Sequence, residues 1–495
     1  MAARWALVAL SLVAATCGAE QMSTHYECIV VGMGSAGTTA ASTLARAGRR
    51  VLALEAAGRV GGRVHTVSFG GGVVELGAEW CVIQGLIAEI HGTDSSRTYK
   101  TAVENNVTVQ SQALDFEVVQ SDGSVGSKLM HELVAKGIEL TEEDHDDTPE
   151  PLGQYVTNKF TEYIKEKHPS VDNATVARVL DFLDLYVDNL DASSSWMDVD
   201  AAAPYDVLGG DQHVSWGRLG YKTFFELMLN TYKGGPGLPS LDLKLNSLVT
   251  RVHWPQQGGQ PVAVTTSDGR TYTADAAIVT VSLGVLKEKH ATLFSPPLPE
   301  DKKSAIENIG MGVIGKIILA FDKPWWGKKF YGLMWKPADL ASVGDADRWT
   351  TRIMGISSPM GCENALTLWT SGETAKLVET LPEERVRAGA MALLRRFFSD
   401  LPITEPTAMI RSKWYANELT RGTYSYSSMA AAGAPDARRV LATPLPAPGA
   451  PAAPTGSARL LLAGEATHST RYSTVHGAAD SGYAAAAILL GDKSA

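Results

Sequence analysis

The chain has 495 residues, with 44 Lys and Arg against 54 Asp and Glu, a formal net charge of −10. At roughly 150 residues per domain there is room for two or three domains. With 45% hydrophobic and 20% charged residues, a sizeable core is available and wholesale disorder is excluded. The acid excess argues against nucleic acid as the main partner, which leaves a basic footprint, and is compatible with a cationic ligand.

Residues 1–19 read as a secretory signal peptide: Arg4, an apolar run over 5–16, then Cys17, Gly18 and Ala19 as a small-residue cleavage site. The run is too short to span a bilayer, and no later segment reaches about 18 continuous apolar residues, so no stable membrane anchor is expected. Sequons at Asn106 and Asn173 fit a secreted glycoprotein. Residues 491–495 carry neither a retention nor a peroxisomal signal. Of the four cysteines, Cys17 leaves with the signal. Cys28, Cys81 and Cys362 form neither a disulfide framework nor a metal pattern.

A short apolar strand over 27–31 leads into Gly32-Met-Gly-Ser-Ala-Gly37 and an Ala-rich helix to residue 47. Gly48 stops that helix, and a second strand over 51–54 ends in Glu55, 18 residues after Gly37. Strand, glycine turn, helix, strand and acid make the first half of a Rossmann-type unit. Gly32 permits the tight turn, Gly34 lets the backbone approach a pyrophosphate, and Gly37 lets helix and strand pack closely. The helix N-terminus, with Ala36 in its first turn, then faces the phosphates, and Glu55 accepts from a ribose.

Further along, 142–147 is an acidic surface run, and 154–190 is helical by its three- and four-residue apolar spacing. Residues 241–254 and 262–272 are expected as strands paired around the turn at 267–269. A buried strand follows over 276–281, then helices over 301–316 and 382–398. Five prolines in 444–454 mark an extended surface loop. A last short strand over 461–464 and a closing helix over 481–490 end the chain.

Beyond Glu55 lies Gly58-Arg-Val-Gly-Gly-Arg-Val-His65; near the other end lie Gly464-Glu-Ala-Thr-His468 and Tyr472-Ser-Thr-Val-His-Gly477. With the dinucleotide turn, these segments resemble the flavin-containing amine oxidases over about residues 27–490. The resemblance is strongest to animal spermine oxidases and N1-acetylpolyamine oxidases. It is carried by 278–286, Pro296-Pro-Leu-Pro299, Ile309-Gly-Met-Gly312 with Lys316, Arg411-Ser-Lys-Trp414, Thr420-Arg-Gly-Thr-Tyr-Ser-Tyr426 and 463–482.

The resemblance implies an α/β fold: a Rossmann-type FAD-binding domain of the glutathione-reductase-like kind, interleaved with an α+β substrate-binding domain. The FAD-binding parts would be 26–85, 236–295 and 459–490. The substrate-binding parts would be 86–235, with a helical insert, and 296–425, and 426–458 would be the Pro-rich surface loop.

It also implies site residues. Glu55 matches the ribose-binding acid, Arg63 the arginine beside the pyrophosphate, Val249 the backbone contact to adenine, Glu465 the acid at the ribityl and phosphate end, and Val475 the N–H facing the pyrimidine ring. Gly32, Gly34, Ala36, Gly37, Gly77, Ala78, Glu79, Trp80, Trp414, Gly464 and Thr474 complete the cofactor set. Lys316, Trp414, Tyr424 and Thr474 are the implied catalytic group: Lys316 holds a water beside flavin N5, and Trp414 and Tyr424 wall an aromatic slot. Asp191, Tyr205, Asp211 and Ser473 are implied substrate contacts, and no metal site is implied. Taken singly, Trp414 and Tyr424 read as core aromatics and Asp191 and Asp211 as solvated acids. Lys316 sits in an apolar run where an unpaired ammonium is costly. No cysteine occurs in 421–424, so the FAD is expected to be non-covalent.

The implied reaction is oxidation of spermine, spermidine or their N1-acetyl derivatives. Hydride passes to flavin N5, the imine hydrolyses to an aldehyde and a smaller amine, and O₂ becomes H₂O₂. The alternatives are a flavin amine or L-amino-acid oxidase of other specificity, for which Arg421 or Arg471 could hold a carboxylate, and a catalytically silent secreted flavoprotein. One stretch departs from the pattern. Relatives carry GAHWIHG or a plant equivalent with glutamate, where this chain reads Gly77-Ala-Glu-Trp-Cys-Val-Ile-Gln-Gly85. Val82 replaces the polar residue and Glu79 the first histidine, so Gln84 or Glu79 has taken over or the substrate mouth has changed. Ile314 is also apolar where acetylpolyamine oxidases place an asparagine.

Overall fold

The computed structural model describes residues 25–492 apart from 83–85, 89–91, 112–113, 144–148, 256–259, 433–435 and 447–457, and only the backbone of 80–82 and 86–88. The expected signal peptide, Gln84, and most of the acidic and Pro-rich runs lie outside the described residues.

The larger sheet has nine strands. Tyr26–Val31 pairs in parallel with Val51–Leu54 on one side and Thr271–Val279 on the other. Leu241–Lys244 adds in parallel beyond Val51–Leu54, and Ala458–Leu462 lies parallel to the second half of Thr271–Val279. Strands covered on both faces become unbroken apolar runs, as Cys28 to Val31 and Val51 to Leu54 are here, all buried. Gly32, Glu55 and Thr280 follow directly on the carboxyl ends of three of these strands, and Gly464 follows a fourth with one residue between.

The expectation of one strand over 241–254 paired with 262–272 holds for Val249–His253, which pairs antiparallel with Val262–Thr266, and is corrected for the rest. Asn246 at φ +53 breaks the segment, and residues 246 and 247 donate to the Ala57 and Glu55 carbonyls instead. Leu241–Lys244 therefore joins the parallel edge, and the turn links Val262–Thr266 to Thr271–Val279.

A second, six-stranded sheet runs in the order Ala408–Arg411, Ile314–Ala320, Ala365–Ser371, Gly355–Ser357, Lys329–Met334, Asp115–Gln120. Residues 314–316, expected at the end of a helix, open its second strand: the helix Glu300–Asn308 stops before Gly310, and β-branched Ile314, Ile317 and Ile318 favour the pleat. The helical stretch 154–190 is two helices, Leu152–Lys167 and Asn173–Asp191, the second capped by Asp172 accepting from the Thr175 N–H. They pack with Lys128–Glu142, a helix that no motif announced, around Phe160, Phe182 and Leu183.

The closing helix, Val475–Leu490, starts six residues earlier than expected because Thr474 Oγ1 caps it, accepting from the Gly477 N–H at 2.9 Å. It lies against the first helix, Ser35–Arg46, along a seam of small residues. A Cβ on Gly482 would stand 2.0 Å from the Ala36 carbonyl oxygen. Gly37 serves a similar end within the turn, where a Cβ would meet the Gly32 oxygen at 1.9 Å. Among the described residues no helix is long and apolar enough to cross a membrane.

Because the neighbour of Gly482 is backbone, it cannot swing away, and the two helices must separate to admit a methyl group. Gly482→Ala is expected to destabilise the fold by about 1–3 kcal/mol, read as a lowered Tm and reduced bound flavin. An unchanged Tm would show that the seam is looser than these distances require.

Candidate active site

A cavity of about 460 Å³ opens where the parallel strands end, the place where open α/β sheets bind ligands. Its first part is lined by Gly32, Gly34, Ala36, Glu55, Arg63, Val249, Gly464, Glu465, Ser473, Thr474 and Val475. Gly32 holds φ +89, which favours glycine. A Cβ on Gly34 would meet nothing nearer than the Gly61 oxygen at 4.0 Å, and one on Gly464 would meet nothing within 4 Å. The helix Ser35–Arg46 has no side-chain cap, so its first N–H groups are left for an anion. Two glycines fronting open space, an uncapped helix start and a buried acid fit a dinucleotide with its pyrophosphate at the turn. Glu55 is buried and accepts from the Met33 N–H at 2.6 Å and the Ala57 N–H at 2.8 Å. Burial pushes its carboxyl up, against those two backbone bonds.

The arginine segment does two jobs. Arg59 folds back on its own loop, donating to the carbonyls of Val60, Gly62 and Val64. Arg63 reaches across to Glu465 Oε1 at 2.8 Å and the Thr423 carbonyl at 2.7 Å. Glu465 also accepts from the Ser425 hydroxyl at 2.6 Å and the Ser473 N–H at 3.0 Å. Burial opposes its charge, but Arg63, Ser425 and Arg438 outweigh burial and hold the carboxyl below its usual range.

The cavity's other end is lined by Leu76 to Glu79, Asn189, Ile314, Lys316, Met354, Trp369, Trp414, Thr423 and Tyr424. Trp414 is fixed by its indole N–H on the Leu76 carbonyl at 2.9 Å. Its backbone N–H, with those of Tyr415 and Ala416, donates to the buried carboxylate of Glu379. Tyr424 donates to the Asn189 and Leu190 carbonyls at 3.1 and 3.3 Å, the last turn of the helix Asn173–Asp191.

Lys316 is buried but not unpaired. Its ammonium donates to Glu79 Oε2 at 2.8 Å and to the Glu75 and Gly77 carbonyls, both at 2.9 Å, and lies 4.7 Å from the Trp369 ring centre. All three N–H bonds go to protein acceptors, so none is left over for the water that the resemblance assigns to it. Behind it, Glu75 Oε1 accepts from Thr66 Oγ1 and the Tyr221 N–H, while Glu75 Oε2 is buried without a partner. Burial, with the Glu79 charge adding, raises the Glu75 carboxyl to about 7.

The implied substrate contacts disperse. Ser473 lines the cavity at φ +66. Asp191, at the end of its helix, is half-buried and makes no hydrogen bond among the described residues. Burial raises its carboxyl to about 7, with Arg438 opposing. Asp191, Tyr205 and Asp211 are not among the residues that line the cavity. Tyr205 is 44% exposed, edge-on to Tyr472. Asp211 is drawn off by its own loop, accepting from the His213 N–H at 2.8 Å with the His213 ring at the same distance. Arg421 pairs with Glu288 and Arg471 with Asp480, and neither lines the cavity. The Trp80 side chain lies outside the described atoms. Asn189, Met354, Trp369 and Glu379 were missed, since each sits in a plain helical or strand pattern that announces only core. Among the described residues no group of three His, Cys, Asp or Glu is placed to hold a metal.

Residues 35–490 match the family model of flavin-containing amine oxidoreductases. The chain is 31% identical to the human peroxisomal N(1)-acetyl-spermine/spermidine oxidase, covering 93% of this chain and 94% of that protein. It is 30% identical to polyamine oxidase 4 of Oryza sativa subsp. japonica, covering 94% and 89%. A solved putrescine oxidase double mutant superimposes with a TM-score of 0.64 over 94% of this chain and 99% of that one, at 18% identity, a likeness of fold. The chain belongs to the flavin-containing amine oxidoreductases; it is an oxidoreductase and its cofactor is FAD.

Glu75 generates a prediction of its own. A carboxyl raised in the folded state stabilises fully below its unfolded value, 4.5, and loses that contribution as pH rises through about 7. Glu75→Gln keeps the acceptor for Thr66 and Tyr221 but never ionises. Its stability is expected to equal that of wild type near pH 4.5 and to exceed it at pH 8 by up to about 3 kcal/mol, read by thermal unfolding across pH. A difference that does not change with pH would mean Glu75 is charged throughout.

Proposed function

We propose that this flavin-containing amine oxidoreductase is a polyamine oxidase acting on spermine, spermidine or their N1-acetyl derivatives. The observation that carries the reading is the far end of the cavity. There an aromatic slot of Trp369, Trp414 and Tyr424 adjoins the end of a helix that finishes in an unpartnered carboxylate, Asp191. An aliphatic chain studded with amines matches that sequence of surfaces. Its methylenes lie against rings, and a remote ammonium meets the carboxylate and the negative end of the helix. Two relatives named for polyamine or acetylpolyamine oxidation support the same substrate class.

FAD held in the glycine-turn cradle by Glu55, Arg63 and Glu465 would supply the redox chemistry, the two-electron oxidation of an amine's C–N bond with O₂ as final acceptor, after which water would release an aldehyde and a smaller amine. The chain's contribution is placement. Trp414, anchored on Leu76 and Glu379, and Tyr424, anchored on Asn189 and Leu190, hold the slot rigid. We take the FAD as non-covalent, since no cysteine stands in 421–424; of the cysteines whose side chains are described, Cys28 is buried in the first strand, Cys362 donates to the Phe69 and Gly70 carbonyls, and neither lines the cavity. An amino-acid oxidase is disfavoured, since Arg421 and Arg471 are engaged elsewhere. We also infer passage through the secretory pathway, from 1–19 and from sequons whose Asn106 and Asn173 are both exposed. N-terminal sequencing of secreted protein is expected to begin just after residue 19.

Anaerobic titration of the yellow protein with spermine, spermidine and N1-acetylspermine is the direct test. Rapid bleaching of the flavin band is expected with at least one. Asp191→Asn is expected to weaken the tetra-amine about tenfold or more, as a lost ion pair of about 1.4 kcal/mol would, and to leave a simple monoamine unchanged. A flavin that stays oxidised with all three amines would sink the polyamine reading.

A further inference from the structure

Glu79, one of the residues that depart from the family pattern, is paired with Lys316, which keeps it. Both side chains are almost wholly enclosed, 2% and 3% exposed, and their charged atoms stand 2.8 Å apart. Both residues line the cavity beside Trp369 and Trp414. Lys316 has spent its three N–H bonds on Glu79, Glu75 and Gly77. Glu79 has spent one oxygen only: Oε2 is on Lys316, and Oε1 has no hydrogen-bond partner among the described residues. Asn189 Oδ1, at the same end of the cavity, is also without a partner, so the polar atoms known to be left over here are both acceptors, and of the two only Glu79 Oε1 belongs to the ion pair.

We propose that Glu79 accepts the N–H of the amine in the aromatic slot, with Lys316 as its fixed counter-ion, so that the amine is bound and oriented in its neutral form. This rests on the amine-oxidising reading above and not on the choice of polyamine. Hydride can leave the carbon only when the neighbouring nitrogen keeps its lone pair. A lone buried carboxylate works against that, because it holds a nearby amine as its ammonium. Paired with Lys316, the carboxylate is close to neutral as a unit, yet it still takes an N–H bond and so points the lone pair. The ionisable groups facing the pair are few. Glu75 lies behind it, and burial, with Glu79 adding, keeps that carboxyl protonated up to about pH 7. Arg59 sits beyond Glu75 and is turned to its own loop. Tyr424 lines the same end, its phenol raised well above the usual range by burial first and then by Asp191.

The test uses tert-octylamine, whose amine carbon bears no hydrogen and so gives no oxidation. Its binding to the oxidised holoenzyme is followed by the shift in the flavin spectrum. Between about pH 8 and about pH 9 the wild-type affinity is expected to rise about tenfold, because one proton leaves the amine on binding. Lys316→Met leaves Glu79 unpaired; the amine then binds as its ammonium, and the affinity becomes flat with pH. Glu79→Gln keeps the wild-type slope but binds at least about tenfold more weakly, as loss of one charged hydrogen bond implies. A role in packing alone would weaken both variants alike and leave the slope untouched. A wild-type slope in Lys316→Met, wild-type affinity in Glu79→Gln, or no binding to wild type overturns the proposal. Should Lys316→Met lose its flavin, Lys316→Arg decides: it keeps the cation and must keep the slope. A wild type that binds tert-octylamine in this way but is not bleached by any polyamine overturns only the polyamine reading.

Discussion

The two ends of the described chain meet over the flavin-binding turn, and most of the architecture depends on that meeting. Ser35, at the start of the first helix, donates to the Val475 carbonyl, 440 residues later, at 2.9 Å. A few residues on, Ala36 and Gly482 touch backbone to backbone. Two helices can approach so closely only where side chains are nearly absent, which explains the Ala- and Gly-rich character of both. The helix starts then bracket the carboxyl ends of the parallel strands, and N–H groups from two distant segments converge on one cavity. The second sheet and its helices are threaded between these two halves of the chain, so the slot they wall is aligned with the turn by chain connection as well as by packing.

Buried charge in this molecule comes in matched sets. Glu465 is met by Arg63, with Arg438 nearby; Glu379 is met by three backbone N–H groups; Lys316 is met by Glu79 and two carbonyls. An unmatched ion in such surroundings costs several kcal/mol, so each set also fixes geometry: removing one member strands the others. Two carboxyls among the described residues are less fully met: Glu75 keeps one oxygen without a partner, Asp191 makes no hydrogen bond, and for both, burial raises the pKa to about 7. One lies behind the lysine, and the other closes the helix whose last turn anchors Tyr424.

How much of this was legible in the residues follows from what each pattern encodes. The glycine turn, its helix and Glu55 are local: their spacing dictates backbone conformation and ligand chemistry together, and the strands Tyr26–Val31 and Val51–Leu54 fall within a residue of expectation. The segments shared with relatives, such as Arg411 to Trp414 and Gly464 to His468, found much of the cavity wall through resemblance. What failed was long-range. Nothing near Asn246 says that its left-handed backbone will send Leu241–Lys244 to a parallel edge. Trp369 reads as core because its strand is uniformly apolar, and only the neighbouring strand shows that its ring faces Lys316. Asp211 shows the converse: an acid in a plausible position is captured by its own loop, through His213.

Glu79 is the instructive case, because as a single substitution it looks like damage. A glutamate where relatives carry histidine suggests a changed substrate mouth, and that inference treats position 79 alone. The structure ties it to position 316, on a strand 237 residues away, through a bond of 2.8 Å between two enclosed ions. A lysine enclosed here without that partner would have only two carbonyls for three N–H bonds and no counter-charge, and desolvation would press it toward its neutral form. With Glu79 present the ammonium is satisfied, and one carboxylate oxygen, Oε1, is left without a hydrogen-bond partner among the described residues. This wall therefore presents an acceptor to the cavity, with the lysine's charge balanced by its partner. That is an alteration in how an amine can be held, with the FAD cradle at the other end of the cavity left as it was.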